Sequence, residues 1–318
     1  MKKLFVIVFL LTLASLTGCQ PAPTPLRIVS SPWPGYEPIY LARDLGYLDE
    51  SKFVVNELPS SNITFESFTN GSADIATLTL DETLTLLSQG RKLRILAVMD
   101  VSNGADAVMA RPNIKKLSDL KGKRIAIVNI PLGVFMLSRT LEAAGLKAKD
   151  VSVIPMPENA HEKAYQQNKI DVAVTFEPFK TKLAQAGAHM LFDSSKIPNE
   201  IFDLLVVHEE TYQKRSKDLC ELSKQWFRTL DYIQNNTQDS HARMSKRLGM
   251  DPSLYQAMMD GLKVPDAQEN IRLLSGSHPA IIQPISNLAK TMFESGLITT
   301  TVSAEALLSS EFLASCLK

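Results

Sequence analysis

The chain has 318 residues, 45% of them hydrophobic, and 34 Lys and Arg stand against 34 Asp and Glu. That length suffices for two domains of ordinary size, each with its own core. The balanced charge, with no basic cluster or stripe, excludes the phosphate neutralisation on which nucleic-acid binding depends.

Lys2 and Lys3 precede an apolar run over residues 4–13, too short to span a bilayer and shaped like the core of an export signal. Leu16, Thr17, Gly18 and Cys19 resemble the bacterial lipobox, which implies cleavage before Cys19 and a lipid on its sulfur. Residues 1–18 are then a signal peptide and 19–25 a lipidated cysteine and tether, because Pro21, Pro23 and Pro25 cannot continue a helix. Gln20 is not the aspartate associated with inner-membrane retention. Loss of Lys2 and Lys3 leaves 32 basic residues against 34 acidic, a formal charge of −2. No second run is long and apolar enough to span a membrane. Of the other cysteines, Cys220 and Cys316, an oxidising compartment would allow a bridge, but two buried unpaired thiols are the expectation.

The body then alternates short strands and amphipathic helices, the signature of α/β architecture with largely parallel sheet. Residues 26–30 form a strand, and Ser31 to Tyr36 an aromatic loop in which two prolines limit φ and Gly35 permits a tight turn. Leu41, Leu45 and Leu48 put a helix after it, with its N-terminus facing the loop. Trp33 and Tyr36 serve either a ligand or a domain core. Strands follow at 53–58, 74–78 and 93–99, with helices at 65–71 and from Thr79 to Gln89. Loops after the first and third strands would both lie at the carboxyl ends of the sheet, where open α/β sheets bind ligands.

A second α/β unit follows. Strands are expected at 124–128, 151–154, 172–176 and 189–192; helices run from Pro131 to Gly145 and from Phe179 to Gly187, and Asn159 with Glu162 has capping-box spacing. Residues 204–207 read as a strand returning to the first domain, and everything beyond as helical. Leu219, Leu222, Trp226, Leu230 and Ile233 mark one long helix; Asp251 and Asp266 begin others with capping side chains. The chain thus crosses between domains twice, which makes a hinge: residues 26–102 with 204–318 form one lobe and 103–203 the other.

The order SPWPGYEPIYLARDLGYLD, GSADIATLTLDE, LRILAVMDVSNGADAVMA, LSDLKGKRIAIVN, KIDVAVTFEPF closely resembles the solute-binding proteins of ABC importers. More narrowly it is similar to the branch that includes nitrate-, sulfonate- and taurine-binding proteins and relatives that bind pyrimidine precursors of thiamine. The resemblance implies a two-lobed periplasmic-binding-protein fold of type II, lipid-anchored at the periplasmic face of a bacterial membrane. It implies a monomer that closes on a small-molecule ligand and delivers it to an ABC permease; a sensor docking on a membrane receptor is the alternative.

No nucleophile elbow, dinucleotide fingerprint, phosphate loop or paired-histidine zinc motif is present, so no enzyme activity or cofactor is expected. The histidines lack metal-ligand spacing; His208 beside Glu209 and Glu210 would point to different faces of a strand, and no metal site is expected. By the resemblance, the first lobe offers Ser31, Trp33, Tyr36, Thr79 and Asp81 to a ligand, the crossing Ser102 and Asn103, and the second lobe Asn129, Leu132, Gly133, Phe176 and Glu177. Asp81 and Glu177 serve equally well as charges at helix N-termini, and Ser102 and Asn103 as ordinary turn residues. An anion would sit on helix N-termini beside hydroxyl or basic side chains, but Ile130, Pro131, Leu132, Gly133 and Val134 supply none. Carboxylates among aromatic rings instead suit a neutral or cationic nitrogen compound such as an aminopyrimidine. Sulfonate, taurine or nitrate is the alternative ligand.

Overall fold

A computed structural model describes residues 23–309 and 311–318. The signal and lipobox, with Cys19, lie outside the described residues. Among the latter, no helix is long and apolar enough to cross a membrane.

Among the described residues, eleven strands build two sheets. In chain order they are β1 (Leu26–Ser30), β2 (Phe53–Glu57), β3 (Ile75–Thr79), β4 (Leu93–Ser102), β5 (Asp106–Ala110), β6 (Arg124–Ile127), β7 (Ser152–Pro155), β8 (Val172–Phe176), β9 (His189–Asp193), β10 (Phe202–His208) and β11 (Leu262–Lys263). The first sheet has the order β11-β4-β10-β3-β1-β2 and the second β7-β6-β8-β5-β9. The chain passes from the first sheet to the second between Ser102 and Asp106, and returns between Asp193 and Phe202. This is the two-lobed α/β fold that the resemblance implies.

The sheets are mixed rather than largely parallel. β1 pairs in parallel with β2 and β3, and β6 with β7 and β8, whereas β10 runs antiparallel to β3 and β4, and β5 to β8 and β9. The reversed strands are the ones that each lobe receives directly from the hinge. A strand entering without a crossover helix has no topological requirement to run parallel. Apart from Asp106 and Asp203, their buried residues are apolar because both faces are covered.

Beyond β10 the chain is helical except for β11, whose two residues pair with Val101 and Ser102 beside the crossing. Asp266 caps the Ala267–Leu274 helix by accepting the Glu269 N–H at 2.8 Å, while Asp251 makes no side-chain cap bond. Asn159 and Glu162 form no capping box: Asn159 lies within a short 3-10 turn, and its amide donates to the Pro59 carbonyl instead.

Cys220 and Cys316 are bridged, with Cα atoms 5.3 Å apart, which corrects the expectation of unpaired thiols. Cys220 lies on the Ser216–Asn235 helix and Cys316 on the Phe312–Cys316 helix, so the bridge pins the C-terminus to the first lobe. It closes a loop with a sequence separation of 96, for which loss of unfolded-chain entropy corresponds to about 2–5 kcal/mol. Urea unfolding with and without reductant should show that loss as a lower midpoint; superimposable curves would mean the bridge does not restrain the unfolded chain.

Candidate functional site

Between the lobes lies a cavity of about 30 Å³, lined by Ser31, Trp33, Tyr36, Ser61, Thr64, Thr77, Thr79, Glu82, Asp106, Ile130, Leu132, Phe176 and Asp203. The loop after β1 supplies its aromatic wall. Pro34 to Tyr36 form a 3-10 turn, held from behind by the Tyr255 hydroxyl donating to the Pro34 carbonyl at 3.1 Å. Gly35 matters there for closeness rather than for an unusual φ: a Cβ on it would fall 1.8 Å from the Asp100 carboxyl. The Trp33 indole N–H donates to that same carboxyl at 2.9 Å, and the Tyr36 hydroxyl donates to Asp203. Phe176 faces Trp33 across the cleft, edge-on at 5.9 Å between centroids. Trp33 and Tyr36 therefore pack a core and line the cavity at once.

The floor is a row of polar residues on three neighbouring strands. Asp203 of β10 is in register with Asp100 of β4 on one side and Thr79 of β3 on the other. Glu82, one turn into the Leu80–Ser88 helix, accepts the Thr79 N–H at 2.9 Å with one oxygen; its other oxygen has no partner. Asp106 opens β5 in register with Phe176 and receives its backbone tie from Ser102, whose hydroxyl accepts the Asp106 N–H at 3.2 Å. One oxygen each of Asp100, Asp106 and Asp203, both of Asp81, and the hydroxyls of Thr77 and Thr79 are buried without partners. Buried polar atoms in native proteins are rarely left so.

No Lys, Arg or His lines the cavity among the described residues. Its carboxyls consequently resist ionisation. Burial, then repulsion from Asp100 and Asp81, lifts Asp106 from 3.8 to about 7. Burial likewise raises Asp81 and Glu82, and Glu82 is pushed further by Asp81. Asp100 and Asp203 face each other in register, and burial plus the Asp100 charge raises Asp203 well above the ordinary carboxyl range. The arrangement can accept hydrogen bonds from a flat, electron-poor or cationic molecule held between aromatic faces, and it offers a bound anion no charged donor.

Of the twelve ligand positions expected from sequence, Ser31, Trp33, Tyr36, Thr79, Leu132 and Phe176 line this cavity. Asp81 is fully buried in the first turn of its helix, behind the lining. Glu177 turns away: its carboxylate meets Lys180 at 3.3 Å and accepts the Thr181 N–H at 3.1 Å, the N-terminal role that its position before Pro178 also allowed. Asn129 is exposed. Gly133 is a packing residue, since a Cβ would lie 2.2 Å from the Val128 carbonyl oxygen. Ser102 and Asn103 belong to the hinge. The Ser102 hydroxyl bonds Ser194 of the returning crossing at 2.8 Å, and the Asn103 N–H donates to Gly261 at 2.8 Å. His208 stacks on Phe68 and its ring nitrogen bonds the Phe68 carbonyl, apart from any cluster. Glu82, Asp106 and Asp203 were missed, although an Asp inside an otherwise apolar strand run, as at Asp100, Asp106 and Asp203, is a readable signal of a buried acid.

Residues 33–240, well over half of the chain, match the family described as NMT1/THI5 like. A Brucella abortus protein that carries a provisional binding-protein name is 34% identical over 87 residues; the chain spans 27% of that relative's length, and the match covers 27% of this chain. Many solved structures share the fold, two of which serve as examples. The alkanesulfonate-binding protein of Xanthomonas axonopodis pv. citri, solved with MOPS bound, superimposes with a TM-score of 0.74 at 16% identity, covering 91% of this chain and 99% of that one. The desulfurization enzyme DszB does so at 0.64 and 15%, covering 92% and 99%. The two-sheet fold, the hinge and the extent of the family match together place the chain in the NMT1/THI5-like family.

Proposed function

We propose that this protein is the extracytoplasmic solute-binding component of an ABC importer, lipid-anchored through Cys19, and that its cleft takes a small cationic or neutral nitrogen compound, an amine or aminated heterocycle. The observation that carries the ligand class is the lining itself: Glu82, Asp106 and Asp203, each with an unpartnered oxygen, beside Trp33, Tyr36 and Phe176, with no basic side chain. A cation or an N–H donor would satisfy the orphaned oxygens, whereas a sulfonate would be repelled by each of them that ionises. At the second-lobe helix, Ile130 and Leu132 present apolar surface and Ile130 makes no side-chain cap, so the usual supports for an anion are missing there too. Arg139 is engaged with Glu200 and Glu142.

The lining holds Ser and Thr hydroxyls beside carboxyls, and no His or Cys. The partner is an ABC permease in this reading, or a membrane receptor if the protein is a sensor; a permease and ATPase encoded beside the gene would favour transport. A thermal-shift screen with taurine, alkanesulfonates, nitrate, amines and aminopyrimidines tests the ligand class. A true ligand at a hundred times its dissociation constant adds about 2.7 kcal/mol. Stabilisation by nitrogen bases alone is the expected result. Stabilisation by sulfonates or nitrate alone would move the chain to the anion-binding reading that its structural neighbour's name suggests.

A further inference from the structure

Opposite the hinge, the lobes meet at a second place that the cavity does not include. The hinge crossings leave from β4 and β5 and return through β9 and β10, whereas β2 and β7 are the far edges of their sheets. The loop after β2 leads into the Ser61–Thr69 helix, and the loop after β7 forms the 3-10 turn Glu158–Ala160. These two loops touch. Glu158, fully buried, accepts the Ser61 backbone N–H at 2.7 Å and the Ser61 hydroxyl at 3.1 Å through one oxygen, and the Asn159 amide donates to the Pro59 carbonyl at 3.1 Å. The helix's own preceding residue, Ser60, makes no side-chain cap bond, so a second-lobe carboxylate caps a first-lobe helix.

We propose that the Glu158–Asn159 turn is the closing latch of the cleft. A contact at the edge farthest from a hinge has the longest lever arm, so it breaks at the first degrees of opening and forms at the last degrees of closure. Neither residue lines the cavity, but Ser61, which the latch holds, does. The latch therefore acts on any solute in the same way: it raises the population of the closed state, and apparent affinity scales with that population. Glu158 is a positioning residue, acting through Ser61 and through closure. The inference rests on the reading of the cleft as a solute site, but its test needs no solute.

Spin labels on Val54→Cys and Val153→Cys, exposed positions on β2 and β7, report the opening of this edge. Pulsed dipolar distances would be measured on the ligand-free protein with its native disulfide intact. The expected result is a short-distance population in the parent. Glu158→Ala should reduce its ratio to the long-distance population by about tenfold, as loss of a hydrogen bond to a charged acceptor implies. Glu158→Gln, which keeps an acceptor oxygen, should retain most of it, and Asn159→Ala, an exposed and mild change, should shift it by less. A parent with no short-distance population, or identical distributions in parent and both alanine variants, would overturn the latch. A wrong solute class would fail in the thermal-shift screen and leave these distances unaffected.

Discussion

Asp106→Asn is expected to weaken binding of a cationic solute by about a hundredfold while making the empty protein more stable at pH 8. Both effects follow from one buried carboxyl. Asp106 opens β5 with one oxygen unpartnered, and its burial, with repulsion from Asp100 and Asp81, outweighs the pull of Lys180. Above its raised pKa the empty site holds an uncompensated charge, which is costly in a low-dielectric cavity. Asparagine has nearly the same shape without that charge, so the variant should unfold at higher urea, by roughly 1 kcal/mol or more at pH 8. At pH 5, where Asp106 keeps its proton in the fold, the gain should be smaller, and below about pH 4, where the acid is neutral in folded and unfolded chains alike, it should vanish. With a cation bound, the same charge becomes an asset, and removing one partner of a buried pair costs about 2–5 kcal/mol of binding. A merely structural acid would behave otherwise: its amide would lower stability at both pH values and leave calorimetric binding unchanged, and that outcome would remove Asp106 from the site.

Much of the fold was legible because burial on both faces writes continuous apolar runs into strands such as β3 and β10, and amphipathic stripes into helices such as Ser216–Asn235. What was not legible depends on partners remote in sequence. β5, in the segment GADAVMA, is only five residues long and owes its place to β8 and β9 on either side. β11 is two residues long and exists only because β4 extends past the hinge to meet it. Disulfide pairing across 96 residues has no local trace. The aromatic wall of the cavity, Trp33, Tyr36 and Phe176, was readable because it sits on loops and strand ends next to Pro, Gly and Glu. The acidic lining, Glu82, Asp106 and Asp203, was not separable from Asp81 and Glu177 in one dimension, because only the direction of each side chain separates a helix charge from a cavity wall.

Between pH 5 and pH 8 the empty protein is expected to lose thermal stability while its affinity for a permanently charged cation rises. Asp106 has an ordinary value of 3.8 and one of about 7 in the fold. Below about pH 4 the acid is neutral in both folded and unfolded chains, and its full contribution to stability is present. As pH rises from there, the unfolded chain gives up its proton first, so it binds fewer protons than the native state and stability falls. The loss is complete once pH passes the folded value near 7. Glu82 and Asp81, raised by burial, act in the same direction, and Asp203 keeps its proton longest. A melting midpoint lower by on the order of 5–10 °C at pH 8 than at pH 5 corresponds to a few kcal/mol in a chain of this size. The bound state has the opposite demand. A cation is held by carboxylates, so binding must expel the protons that keep them neutral, and affinity should climb by up to about tenfold per pH unit until Asp106 is already ionised. Titration calorimetry in two buffers of different ionisation enthalpy would read the released protons directly. A sulfonate would invert this signature, because ionising the lining adds repulsion and its affinity would fall as pH rises. An affinity that rises with pH for tetramethylammonium or a similar fixed cation, in a protein whose empty form weakens over the same interval, is the result that the carboxyl-lined cleft requires; a flat or falling profile would mean that these acids do not face the solute.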